Sequence, residues 1–98
     1  MARYIALAKV TREGAISLKE TPQRFSKGRE YLEQIGVKIL EFYATLGPYD
    51  YVAILEGPED IRAVFKSAAF TGTLGSASWI TLPALPMEDF INIIKEIP

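Results

Sequence analysis

The chain changes its hydrophobic period several times along its length. Residues 4–10 combine apolar and small side chains with Lys9 as the one charge, which is the pattern of a strand. Residues 13–18 have the makeup of a short helical turn, interrupted at Thr21-Pro22. Thr21 suits an N-cap and Pro22 a first helical position, so a new helix is expected to begin there. Phe25, Leu32 and Ile35 share one stripe of that helix, with Gly28 between them and charges opposite. Gly28 is expected to permit close packing of helix on sheet, and Gly36 is a natural stop.

Two short apolar runs follow, residues 37–46 and 51–56, separated by Gly47-Pro48-Tyr49-Asp50. Gly and Pro punctuate the chain there, and Asp50 can accept backbone N–H groups at the bend, so the two runs read as a hairpin. Gly57-Pro58-Glu59-Asp60 then opens a helix, with Pro58 in the first position and two acids at the positive end of its dipole. Ile61, Val64, Phe65, Ala68 and Ala69 keep the spacing of one buried face, and Gly72 can end the helix. Residues 76–82 predict a fourth strand, broken off by Pro83. Pro86, Glu88 and Asp89 open a last helix that is expected to bury Phe90, Ile93, Ile94 and Ile97.

The order is therefore β-α-β-β-α-β with a C-terminal helix. Right-handed crossovers make this a ferredoxin-like α+β sandwich, with helices covering one face of a four-stranded antiparallel sheet. At 98 residues, positions 1–98 form a single domain.

Strand parity divides the side chains between the two faces. One set (Ala6, Ala8 and Val10; Leu40, Phe42, Ala44 and Leu46; Val52 and Ile54) is almost purely apolar and is assigned to the helix side. The other set contains Ile5, Leu7 and Lys9; Ile39, Glu41, Tyr43 and Thr45; Tyr51, Ala53 and Leu55; and Trp79 with Thr81. That second face is too apolar for water, so a second copy packed sheet to sheet is expected, giving a twofold homodimer. Lys9, Glu41, Tyr43, Tyr51 and Trp79 would line the space between the sheets. They form either a satisfied ion pair among core aromatics or a semi-polar pocket for a small aromatic or carbonyl-bearing ligand.

Composition narrows the chemistry. There is no Cys and no His, which removes disulfides, thiolate nucleophiles, imidazole bases and Cys or His zinc sites. No dense acidic cluster suggests a metal, and no cofactor is expected. The net charge is −1, with eleven scattered Lys and Arg, so there is no footprint for nucleic acid. No run approaches the roughly 20 apolar residues of a membrane span, and a cytoplasmic protein is expected. Gly72-Thr73-Leu74-Gly75 lacks the Lys of a phosphate-binding loop.

Three stretches together resemble the GYD family, small proteins with a dimeric α+β barrel fold. The first is Thr11-Arg12-Glu13-Gly14 followed by Leu18-Lys19-Glu20-Thr21-Pro22-Gln23-Arg24. The second runs through Phe42-Tyr43-Ala44-Thr45-Leu46-Gly47-Pro48-Tyr49-Asp50-Tyr51-Val52-Ala53-Ile54. The third is Thr81-Leu82-Pro83-Ala84-Leu85 with Glu88-Asp89-Phe90. Gly47, Tyr49 and Asp50 stand for the family's Gly-Tyr-Asp core, with Pro48 between. The resemblance implies the fold and little function, since the wider superfamily includes cofactor-free monooxygenases, isomerases, haem enzymes and stress-response proteins. The hairpin also resembles the effector-binding module of leucine-responsive regulators, which binds amino acids at subunit contacts. The segment from Arg12 to Ile35 is longer than that module's single helix, and there is no helix-turn-helix.

Three functional readings stay open: a homodimeric ligand-binding or accessory protein, a cofactor-free monooxygenase or isomerase, and a stand-alone amino-acid sensor. Whether there is a reaction is left undecided. Asp50 is either a turn stabiliser or, with Tyr49, the rim of a ligand pocket. Tyr43 could act as a donor or acid if Lys9 lies close and lowers its pKa. The ligand-binding candidates are thus Lys9, Glu41, Tyr43, Tyr49, Asp50, Tyr51 and Trp79.

Overall fold

The computed structural model describes residues 1–98. Its elements are β1 (Ala2–Val10), α1 (Arg12–Ile16), a single 3₁₀ turn (Leu18–Glu20), α2 (Thr21–Gln34), β2 (Lys38–Ala44), β3 (Tyr51–Gly57), α3 (Ile61–Leu74), β4 (Ala77–Ala84) and α4 (Met87–Glu96). The strands form one antiparallel sheet in the order β2-β3-β1-β4, the ferredoxin-like arrangement the element order implied. No helix is long and apolar enough to cross a membrane.

Local chemistry explains most element boundaries, with several shifts from expectation. Thr11 caps α1, accepting from the Gly14 N–H at 3.1 Å while its own hydroxyl donates to the Gly75 carbonyl at 2.7 Å. Thr21 lies inside α2 instead of capping it, and its hydroxyl donates to the Leu18 carbonyl, bracing the 3₁₀ turn against the helix. Asp60 is the N-cap of α3, accepting from the Arg62 N–H at 2.9 Å, so Pro58 stands outside the helix. The helix ends at Gly75, in a left-handed conformation at φ +67°, and not at Gly72. Pro83 sits within β4, which runs on to Ala84; β4 is an edge strand, where a missing ladder donor is tolerated.

Register decides which face each side chain takes, and it corrects half of the expected assignment. Ala6 pairs with Ala53 and with Thr81, and Ala8 pairs with Tyr51 and with Trp79. Tyr51, Ala53, Leu55, Trp79 and Thr81 therefore face the helices together with Ala6 and Ala8. Val52 and Ile54, expected beneath the helices, lie on the open face beside Leu7 and Ile5. An irregularity in β2 between Ile39 and Glu41 inverts the parity there, so Ile39 pairs with Leu55 on the helix side while Glu41 and Tyr43 stay on the open face. Leu46 lies past the end of β2 and is fully exposed.

The core is small. Ala6, Leu32, Val37, Ala53 and Leu55 form its buried centre, with Phe42 and Trp79 packed against it. Phe42 is the hub of the aromatic packing, meeting Phe25, Tyr51 and Trp79 edge-on with ring centroids 5.1, 5.9 and 6.3 Å apart.

Both late helices differ from expectation in what they bury. α3 turns Ser67, Phe70, Thr71 and Leu74 inward, and Phe70 stacks on Tyr31 at 4.2 Å. Ile61, Phe65, Ala68 and Ala69 point out, Phe65 being 68% exposed. The inward stripe includes hydroxyls, and Thr71 satisfies its own by donating to carbonyls one turn back. α4 is strongly amphipathic, yet Phe90, Ile93, Ile94 and Ile97 are not buried; Ile94 is 48% exposed. α4 makes at most marginal contact with the rest of its own chain.

Candidate functional site

The structure distributes the expected site residues over three places. The first is the open sheet face. At its centre lie Ile5, Leu7, Val52, Ile54, Ile80 and Leu82, an apolar field across β3, β1 and β4. Arg3 and Glu56 close one end with an ion pair at 3.3 Å, with Lys38 beside them, and Lys9 stands at the other end next to Ser78. Glu41 and Tyr43 flank the field on edge strand β2, the Tyr43 hydroxyl donating to the Glu41 carboxylate at 2.7 Å. That hydrogen bond, reinforced by the carboxylate's charge, raises the Tyr43 pKa above its ordinary value of 10.0. Lys9 plays no part in it. Tyr43 aligns with Val52 and Leu7, so Lys9 lies two strands across and two residues along. Glu41 is further still, and no Lys9–Glu41 ion pair forms.

The second place is the hairpin of Tyr49 and Asp50. Asp50 ties the turn to β1: its carboxylate accepts from the Val10 N–H at 2.7 Å and its N–H donates to the Ala8 carbonyl at 2.7 Å. Its own carbonyl accepts from the Thr45 N–H at 2.8 Å, while the Thr45 hydroxyl donates to the Tyr49 carbonyl at 2.6 Å. Gly47 adopts φ +107°, which a side chain would resist. Asp50 thus anchors the hairpin to the neighbouring strand in addition to shaping the bend. Asp50→Ala should cost about 1–3 kcal/mol, since it leaves a half-buried N–H without its charged acceptor. Urea denaturation checks this, and an unchanged midpoint would show the bond to be dispensable.

The third place is a cavity of about 390 Å³ between the sheet and helices α2 and α3. Its volume follows from small residues where large ones would normally meet. Ala6 and Ala53 form part of the floor, and Gly28 of α2 faces it with nothing within 4 Å of the position a Cβ would take. Gly28 therefore does not mediate the close helix–sheet contact expected of it; it leaves space. Phe25, Leu32, Phe42, Tyr51 and Trp79 line the walls. Tyr51 and Trp79 thus belong to this cavity and not to the open face with Lys9, Glu41 and Tyr43. Sequence reasoning missed Phe25, Gly28 and the alanine floor because absence of volume leaves no motif; the run of small residues in β1 was the available sign.

This geometry coincides with a family match. A GYD domain model matches residues 4–94, nearly the whole chain. The chain belongs to the GYD-domain family. Among curated proteins, it is similar to the "Glutamine synthetase and cystathionine beta-lyase binding protein" of Thermus thermophilus. The two are 35% identical over 96 residues, covering 97% of this chain and 100% of that relative. The GYD hairpin is thus the Asp50 anchor just described, and the name attached to this relative is that of a protein that binds other proteins.

Proposed function

We propose that this GYD protein is a small homodimeric binding protein of the cytoplasm that acts by attaching to other proteins, metabolic enzymes among them. The observation that carries the reading is the makeup of the open sheet face. An apolar field with charged groups at its ends is the anatomy of a protein interface. The amount of exposed surface agrees. The chain exposes 7079 Å², against about 5,600 Å² expected for a compact monomer of this mass. The difference exceeds the roughly 800 Å² that each partner contributes to an ordinary stable interface. A second copy on the open face is the occupant that fits, because a twofold axis sets apolar field on apolar field. The outer stripe of α3 and the apolar side of α4 then remain available to other proteins, in keeping with the relative's name.

Light scattering on the eluting protein should give twice the chain mass at micromolar concentration. A monomer would overturn the homodimer. Biolayer interferometry against purified glutamine synthetase and cystathionine beta-lyase tests the second half, with no response to either enzyme counting against these partners.

A second reading is favoured by a separate observation, the cavity beneath α2. Its volume of about 390 Å³ lies within the range of small-molecule sites, roughly 300–1,000 Å³, and its walls are apolar and aromatic. The small-molecule site then lies within one chain, between helix and sheet, instead of between two sheets.

A further inference from the structure

The cavity carries more than a volume. Its charged lining residues are Arg24 and Arg29, both on α2, and no carboxylate lines it. Arg24 is held in place. Its guanidinium donates to the Ser17 hydroxyl at 3.0 Å, the Ser17 carbonyl at 3.1 Å and the Thr21 hydroxyl at 3.3 Å. These partners are neutral, and its acidic neighbour Glu20, at 3.6 Å, is largely exposed, so the positive charge is only weakly offset. Arg29 meets Glu33 at 3.4 Å in an exposed pair that is weak for the same reason. Gly28 lies one turn from Arg24 on the same side of α2, and the aromatic walls stand below it.

We propose that this cavity binds an aromatic carboxylic acid, its ring among Phe25, Phe42, Tyr51 and Trp79 and its carboxylate toward the two arginines, with Gly28 keeping the space open. The inference rests on the small-molecule reading above and names its ligand class. Two lining arginines whose acidic neighbours, Glu20 and Glu33, stand outside the cavity select an anion, and the lining offers an ammonium group no counter-charge, which sets an aromatic acid apart from an amine or an aromatic amino acid. The volume suits one or two fused rings. Gly28 is the informative residue, because glycine inside a helix is unfavourable and nothing around it demands one.

The test uses the whole chain and three probes of one shape: 2-naphthoic acid, its carboxamide and 2-naphthylmethylamine. Isothermal titration reads affinity, and the indole N–H resonance of Trp79, the one tryptophan, reports the site by NMR. The acid should bind and shift that resonance, with the carboxamide at least about tenfold weaker and the amine weaker again. Gly28→Leu should fill the space and weaken the acid at least about tenfold, while Gly28→Ala, as a folding control, keeps or raises the melting temperature. Equal or tighter binding of the carboxamide or amine would overturn the ligand class and leave the cavity reading intact. If no probe binds or moves the Trp79 resonance, both fail. Undiminished acid binding by a folded Gly28→Leu protein would overturn the site, since the ligand would sit elsewhere.

Discussion

Replacing Gly14 by Ala should destabilise the protein by about 3 kcal/mol or more, the largest effect expected of a single methyl group anywhere in this chain. Gly14 is a buried residue of α1, and a Cβ there would overlap the backbone carbonyl of Ser76 and press on Val10. The obstacle is backbone, so no rotamer change relieves it. The Ser76 carbonyl also accepts from the Thr11 N–H at 3.0 Å, and the Thr11 hydroxyl donates to Gly75 at 2.7 Å. Moving α1 outward would stretch both bonds, each worth about 1 kcal/mol, on top of about 1–3 kcal/mol of overpacking. For a domain of this size that lowers the melting temperature by more than about 10 °C. Thermal and urea denaturation followed by circular dichroism measures it. A loss below about 0.5 kcal/mol would mean that α1 does not seat on the start of β4.

Gly14 and Gly28 show how far the sequence could be taken. Both are glycines in helical segments, and composition gives them the same meaning. Yet one is required by a backbone contact from residues 62 positions away, and the other borders empty space. That difference lives in tertiary geometry. The element order was legible because periods, Pro22, Gly36, Asp60 and the Gly-Pro hairpin each act locally. The faces of β3 were not, because Tyr51, Ala53 and Leu55 are as apolar as Val52 and Ile54. Where both faces of a strand are apolar, alternation carries no sign, and pairing with Ala6 and Ala8 decides. The same ambiguity rotated α3, whose two apolar stripes share Val64, and the irregularity after Ile39 reversed part of β2. Of the candidate site, the aromatics and polar residues were named, but their separation across the sheet depended on register.

Leu7→Arg should convert the proposed homodimer into a folded monomer, with a dissociation constant raised roughly 10²–10³-fold. Leu7 sits in the middle of the open face, on β1, between Val52 of β3 and Ile80 of β4. In a lone chain an arginine there reaches water, so the fold is retained. Across a twofold interface the substitution occurs in both copies, placing two like charges in an apolar field with no acid among the central residues. Glu41 stands at the flank and is already engaged by Tyr43, and Glu56 is held by Arg3, so neither offers an unshared partner. Phe65→Arg on the outer stripe of α3 is the matched control: it adds the same charge to an exposed apolar site and should leave the mass unchanged. Light scattering across a dilution series, with circular dichroism to confirm folding, separates the two. A Leu7→Arg protein that stays dimeric would show that the second copy docks elsewhere, with α4 and the outer stripe of α3 the surfaces left to examine. A monomer for Leu7→Arg beside a dimer for Phe65→Arg would tie the association to the sheet face that the hairpin at Asp50 holds in register.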